Sequence, residues 1–377
     1  MKLALDCRMI GSGGIGTYFL SLLPYFLTDF ECLLIGDEKI INENISQIST
    51  RISSENSLDN HLDNQSASKG INRKNFLPYK TLQCDVETFS LKELFFFPQN
   101  LIAQINECNA YYSPYCNIPG GIKIPVFSTI HDVVFLDIPS LTSKIGCFAR
   151  KIFYQRAINR SKAVFTVSKF SAERICHHLK IKNRPIVVTY NAVPEWFTEQ
   201  TLFDNAEKSD IIYVGNIKPH KGLHILLPAF NKAVEKGLKA NLIIVGNADN
   251  FRTSDTSILS QISASKNISF TGRISDQDLH KLYHKSSLLI QPSLYEGFGM
   301  PPMEALACGT NVIISDIPVF KEIYKDFPVT FFKSGDINDL SEKILEKYNS
   351  PSPKNIPQIY SFEKTSEIII NKIRSNI

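Results

Sequence analysis

Two carboxylates, Glu296 and Glu304, stand eight residues apart in the stretch EGFGMPPMEALACGTNV. Gly297 and Gly299 between them allow close backbone approach, with Phe298 and Met300 alongside, and Pro301 or Pro302 can start a helix. Free N–H groups and the dipole of such a helix make an anion site. A carboxylate ahead of the turn can accept bonds from sugar hydroxyls, and one on the helix can meet a ribose. A second chemical stretch is YVGNIKPHKGLHILLPAF, 213–230. Its Lys221 sits on a loop between a strand and a helix, where an ammonium can rest on a diphosphate; Lys218 lies close by. A third pattern, Gly11-Ser12-Gly13-Gly14-Ile15-Gly16, is a complete G-x-G-x-x-G after an apolar run. Asp37 follows at about the spacing of a dinucleotide enzyme's ribose acid. Cys7, Arg8, Met9 and Ile10 intervene between Asp6 and Gly11. That loop is too long for the tight dinucleotide turn, which argues against a dehydrogenase.

These residues need strands and helices to hold them, and the pattern supplies both. KLALD, ECLLIGD, AYYSP, PVFSTIHD, KAVFTVS and PIVVTYN read as strands in the first half. DIIYVGN, ANLIIVG, NISFTG, SLLIQPS, NVIISD and VTFF read as strands in the second. Many are continuously apolar, the mark of parallel strands buried on both faces. Helices are expected over 15–27, about 141–160, from Ser171, and over 222–236, 275–286, 301–308 and 361–377. Residues 39–75, rich in Asn and Ser, read as a surface insertion, and 192–208 as a linker. The expected fold is therefore α/β, with two Rossmann-like doubly wound domains facing a cleft. Residues 1–195 form the first and 196–358 the second, and a C-terminal helix, 359–377, packs back on the first. His131 and Asp132 follow a buried strand and so lie at its carboxyl end, where such folds bind ligands.

The string E-G-F-G-x-P-x-x-E-A-x-A-x-G-x-x-V resembles the E-x7-E signature of retaining GT-B glycosyltransferases of the family 4 type, and the other stretches match in order. The resemblance implies a nucleoside-diphosphate sugar as donor, held by the second domain, and an acceptor held by the first. Lys221 and a basic residue at the start of its loop would neutralise the leaving diphosphate. Here that first position is Asn216, which Lys218 can offset. Glu296 would orient sugar hydroxyls, Glu304 the ribose, and His131 the transferred sugar. Gly13 and Gly14 would reach the donor phosphates, and backbone near Arg273 and Ile274 the base. Gly297, Phe298, Gly299 and Met300 complete the donor side, and Asp132 and Ser168 lie on the acceptor side. No separate nucleophile is evident, which suits front-face transfer through an oxocarbenium-like transition state.

Within that family the E-x7-E segment is most like hexosyltransferases of bacterial surface polysaccharide, O-antigen or capsule, with GDP-mannose the favoured donor. No D-x-D, zinc spacing or H-E-x-x-H is present, so no metal and no cofactor is expected. Two same-fold rivals, a sugar-nucleotide epimerase or phosphorylase and a non-catalytic sugar-nucleotide sensor, fit many of the same residues.

The 377 residues are 43% hydrophobic and 21% charged, a globular composition for about two domains. A net charge of +4 gives no argument for nucleic acid. Eight scattered cysteines read as free thiols of a reducing compartment. No signal peptide or spanning run is legible, which places the chain in the cytoplasm. Between 141 and 184, eleven Lys and Arg face one acid, Glu173, with aromatic and apolar residues interleaved. That run suggests peripheral contact with anionic lipid at the inner face of the cell membrane or with a lipid-linked oligosaccharide.

Overall fold

The structure, a computed structural model, describes residues 1–11, 13–58, 76–181, 185–197, 208–247 and 256–377. Ser12, the insertion residues 59–75, the linker residues 198–207, and Lys182 and Arg184 of the basic run lie outside them. The chain divides into two compact units, residues 1–191 with 360–377, and residues 192–359.

The first unit is built on a parallel seven-stranded sheet. Its strands are β1 (Lys2–Asp6), β2 (Glu31–Gly36), β3 (Tyr79–Gln83), β4 (Ala110–Ser113), β5 (Val126–Thr129), β6 (Ser161–Thr166) and β7 (Ile186–Val188), in the order β3-β2-β1-β4-β5-β6-β7. Its helices are α1 (Gly13–Asp29), α2 (Glu38–Leu58), α3 (Leu91–Phe95), α4 (Gln99–Asn106), α5 (Val134–Asp137), α6 (Lys144–Arg160) and α7 (Lys169–His178). The second unit carries a parallel six-stranded sheet. Its strands are β8 (Asp210–Val214), β9 (Leu242–Val245), β10 (Ile268–Gly272), β11 (Ser286–Gln291), β12 (Asn311–Ser315) and β13 (Thr330–Phe332), in the order β10-β9-β8-β11-β12-β13. Its helices are α8 (Leu223–Glu235), α9 (Thr256–Ala264), α10 (Asp276–Lys285), α11 (Pro301–Ala307), α12 (Pro318–Tyr324) and α13 (Ile337–Lys347). The last helix, α14 (Phe362–Arg374), belongs to the first unit and packs on α1. Thr365 donates to the Thr189 carbonyl at 2.8 Å, and Arg374 pairs with Asp29 at 2.5 Å.

Central strands β1, β4, β5, β8 and β11 are buried almost along their whole length, as their unbroken apolar character requires. Each sheet reverses direction of growth once, between β1 and β4 and between β8 and β11. Loops leaving the carboxyl ends of those strands part there and open a ligand crevice. In the first unit they lead to the Gly13 region and Pro114; in the second they lead to Lys221 and Glu296.

Residues 38–58 are not a loose insertion but the helix α2. Ile41, Ile45 and Ile48 recur at helical spacing and are buried, which supplies the anchor that the polar composition hides. Asp37, the strand-end acid of the dinucleotide pattern, accepts from the Ile40 N–H at 3.0 Å and so caps this helix. β3 escaped the sequence pattern because it is an edge strand of mostly exposed residues. α7 begins at Lys169 rather than Ser171, capped by Ser168, whose Oγ accepts from the Ser171 N–H at 3.0 Å. Among the described residues no helix is long and apolar enough to cross a membrane.

Candidate active site

In the second unit, the loops after β8 and β11 are laced together before any side chain is considered. Gly222 adopts φ +78°, and a Cβ there would lie 2.0 Å from the Pro292 carbonyl oxygen. Only glycine permits that approach. Leu294 N–H donates to the His220 carbonyl at 2.8 Å. The result sets Lys221, just ahead of α8, against Glu296. Lys221 Nζ donates to Glu296 Oε1 at 2.8 Å and Oε2 at 2.7 Å. Ser293 Oγ donates to Glu296 Oε1 at 2.8 Å, and Gln291 Nε2 approaches it at 3.4 Å. Sequence reasoning missed Ser293 and Gln291 as holders of this carboxylate, since neither stands in a recognisable motif. Gln291 Oε1 and His220 Nδ1, which flank the pair, are buried without a hydrogen-bond partner among the described residues. Polar atoms left in this way are available to hydrogen-bond a bound group. Burial and the neighbouring Lys221 push the His220 imidazole down to about 4, so it is neutral near pH 7.

Gly299 has φ +83°, and a Cβ there would stand 2.4 Å from the Phe320 ring. Tyr324 Oη donates to the Gly299 carbonyl, which fixes the turn in front of α11. α11 is a seven-residue helix that begins with Pro301 and Pro302, neither of which has an N–H. The anion site expected from its N-terminus is therefore weak, and positive charge at this place comes from Lys221. Glu304 lies in the first turn of α11. It is buried, and Tyr283 of α10 donates to its Oε2 at 2.9 Å. Burial is the main cause that raises its carboxyl to about 7. Each acid thus has its own partner, a lysine for Glu296 and a tyrosine for Glu304. Asn216 and Lys218 are exposed on the loop after β8, where Asn216 Oδ1 accepts from the Asn247 N–H at 3.4 Å. Arg273 and Ile274 follow β10, the arginine exposed. Gly297 and Phe298 are buried beside Glu296, and Met300 is half-buried.

In the first unit, Gly13 and Gly14 are exposed at the start of α1. One turn on, Tyr18 meets the His131 ring edge-on at 4.8 Å. His131 Nε2 lies 2.8 Å from the Pro114 carbonyl. A carbonyl only accepts, so Nε2 carries the proton and Nδ1 keeps its lone pair. Burial holds this imidazole down at about 4. Asp132 Oδ1 accepts from the Val134 N–H at 3.0 Å. Sequence reasoning missed the network under the glycine loop: Arg8 pairs with Asp6 at 2.6 Å and with Glu93 at 2.5 Å, all three buried. Tyr115 adds a hydrogen bond to Asp6 at 3.0 Å. These bonds tie the segment leading to Gly11 to α3.

The basic run is half consumed by structure. Arg156 donates to the Ile118 carbonyl at 3.3 Å, Arg160 to that of Ile122, and Arg174 Nε to Asp137 at 2.8 Å. Arg150 lies 4.0 Å over the Phe135 ring. Lys144 and Lys151 remain exposed on α6, next to Ile145, Phe148 and Ile152, which are 82%, 66% and 47% exposed.

Residues 195–361 match the family model described as glycosyl transferases group 1, and residues 104–195 that of glycosyltransferase family 4. The O-antigen chain mannosyltransferase RfbU of Salmonella typhimurium is 32% identical over 52% of this chain and 53% of its own length. The O-antigen chain mannosyltransferase B of Escherichia coli is 25% identical over 65% of this chain and 67% of its own. The chain spans about half the length of the first of these relatives. Among solved structures, Anabaena HepE in complex with UDP-glucose superposes with a TM-score of 0.64 at 16% identity, over 100% of this chain and 94% of that one. TarM superposes at 0.66 and 14% identity, over 99% and 98%. Two Rossmann-like units, adjoining family matches and these superpositions make the chain a member of the GT-B glycosyltransferases of the family 4 type.

Proposed function

We propose that this protein transfers a hexose, mannose favoured, from a nucleoside-diphosphate sugar to a glycan or lipid-linked acceptor in surface polysaccharide synthesis. The anomeric configuration is retained and no metal takes part. The observation that carries the reading is the Lys221–Glu296 pair at the point where the second sheet reverses. It offers a cation for the departing diphosphate and a carboxylate for sugar hydroxyls in one place. Mannose rests on the names of the relatives, several of which are mannosyltransferases.

In this reading Lys221 shares its ammonium between Glu296 and the β-phosphate as negative charge builds on the leaving group. Backbone N–H groups at Gly299 and Met300, ahead of the prolines, add donors. Glu296, held by Ser293, fixes the hydroxyls of the transferred sugar. Glu304 meets the ribose, Arg273 and Ile274 the base, and Asn216 and Lys218 the outer side of the diphosphate. His131, with Nδ1 free to accept from a hydroxyl, positions the sugar. Gly13 and Gly14 reach the donor phosphates, and Asp132 and Ser168 lie on the acceptor side, although the Ser168 hydroxyl already caps α7. The leaving phosphate itself takes the acceptor proton. The stripe Ile145–Phe148–Ile152 edged by Lys144 and Lys151 rests on anionic membrane, where a lipid-linked acceptor resides.

A thermal-shift panel of GDP, UDP, ADP, dTDP, CMP and NAD, without added metal, is the first test. Stabilisation by GDP, and release of GDP from GDP-mannose only when acceptor is present, is the expected result. A shift with NAD alone overturns the reading. Turnover of GDP-mannose without release of a nucleoside diphosphate would point to an epimerase or phosphorylase, and binding without turnover to a sensor.

A further inference from the structure

α10 carries His280 and His284 one turn apart, and the residue after α11 is Cys308. The ligand atoms of these three side chains lie within 4.8 Å of one another, and all three residues are buried. The two Nε2 atoms are 3.1 Å apart. We propose that His280, His284 and Cys308 form a binding site for a divalent cation of the zinc class, separate from the sugar-transfer chemistry.

Two imidazole nitrogens bound at about 2.0–2.1 Å to one tetrahedral zinc stand roughly 3.3–3.4 Å apart, so the two Nε2 atoms, now in hydrogen-bond contact at 3.1 Å, need to part by only about 0.3 Å to admit the ion. Two imidazoles and a thiolate are a borderline-to-soft donor set, suited to zinc and unsuited to magnesium or calcium. A hydrogen bond to the Phe197 backbone holds the His280 ring, the kind of outer contact that orients a ligating histidine. Cys308 is in no disulfide. A thiol ligates as the thiolate, so binding releases its proton and affinity rises with pH. Lys208 faces this corner, its Nζ bonded to the carbonyls of Cys308 at 3.0 Å and Gly309 at 2.7 Å. It favours the thiolate that binding requires.

The sequence shows only the H-x-x-x-H half of this site. The parallel order of β11 and β12 brings the Cys308 turn beside α10. A cation there would fasten α10 to the end of α11 and so hold Tyr283 on Glu304, three residues from His280 and four from Cys308 respectively.

Equilibrium dialysis of the whole chain against Co2+ at pH 8, followed by absorption spectroscopy, tests the site. One cobalt per chain is expected, with tetrahedral d–d bands and a thiolate-to-cobalt charge-transfer band that Zn2+ abolishes by displacement. Cys308→Ser should remove the charge-transfer band, and His284→Gln should weaken binding by roughly 100-fold or more. Cys176→Ser, which changes an exposed cysteine of the other unit, should alter neither. Wild-type protein that binds no stoichiometric cobalt, or a charge-transfer band that persists in Cys308→Ser, overturns the proposal. The wild-type measurement decides alone if a variant fails to fold by circular dichroism.

Discussion

Lys221 Nζ contacts both carboxylate oxygens of Glu296, 75 residues away in the chain. The two belong to neighbouring loops, one leaving β8 and the other β11, so the pair closes the crevice where the second sheet reverses. Its lysine is 22% exposed and its glutamate 9%. One face is therefore still open to a ligand, while the other is packed.

Stability and catalysis should separate at this pair. Lys221→Ala leaves a buried carboxylate with only Ser293 and Gln291, which should cost about 3 kcal/mol. Lys221→Met/Glu296→Gln removes both charges and should recover most of that stability. Turnover should fall at least about 100-fold in Lys221→Ala, in Glu296→Ala and in the double variant, the scale of one strong transition-state contact. Denaturation midpoints and kcat measured on the same three proteins check this. Recovery of activity along with stability would show that the pair is structural only.

Glu304 supplies a pH dependence with a definite sign. Its carboxyl is raised from 4.5 in the unfolded chain to about 7 in the folded protein, chiefly by burial. Below about pH 4.5 the group is neutral in both states. As pH rises toward 7 the unfolded state ionises first, and stability falls by on the order of 3 kcal/mol. Glu304→Gln never bears that charge. Its melting temperature relative to wild type should rise between pH 5 and pH 8, and a flat difference across that range would contradict the buried-acid account.

His131 should act by position and not by proton transfer. Its folded value of about 4 lies below the unfolded 6.5, so the imidazole is neutral throughout the working range. The stability it contributes is complete above pH 6.5 and is lost as pH falls toward 4. His131→Ala should lower kcat roughly 10- to 100-fold without moving any limb of the pH–rate profile between 5 and 8. Loss of a limb near 6.5 in the variant would assign it an acid–base role.

Much of the fold was legible in unbroken apolar runs, because buried parallel strands such as KLALD and SLLIQ have no polar face to disguise them. β3 and α2 were not legible for the opposite reason. β3 is an exposed edge, and α2 carries its buried isoleucines in an Asn- and Ser-rich background. The E-x7-E residues were visible as types and spacing. Their partners were not: Ser293, Gln291 and Tyr283 are ordinary residues until the β8–β11 crossing and the α10–α11 contact bring them to a carboxylate. The basic run shows the converse, since composition counts Arg156, Arg160 and Arg174 as free charge and the structure spends each on a carbonyl or an acid.

What survives of that run gives the last prediction. Ile145, Phe148 and Ile152 recur at i, i+3 and i+7, so they share one face of α6. Lys144 and Lys151 border it and are exposed. The nearby α3 segment exposes Leu91, Phe95 and Phe96, each at least 70%, and Phe89 just before it meets Phe153 of α6 at 6.0 Å. Apolar side chains so exposed with lysines beside them suit the lipid interface, where each buried group and each charge near an anionic surface adds about 1 kcal/mol. Vesicles containing anionic lipid should sediment the wild-type protein at low salt, and release it as salt screens the lysines. Phe148→Asp should reduce bound protein about tenfold or more at every salt concentration. Lys144→Glu/Lys151→Glu should weaken binding most at low salt, where unscreened charge matters most. Equal binding to neutral and anionic vesicles would remove the electrostatic part, and no binding by wild type at low salt would remove the membrane contact altogether.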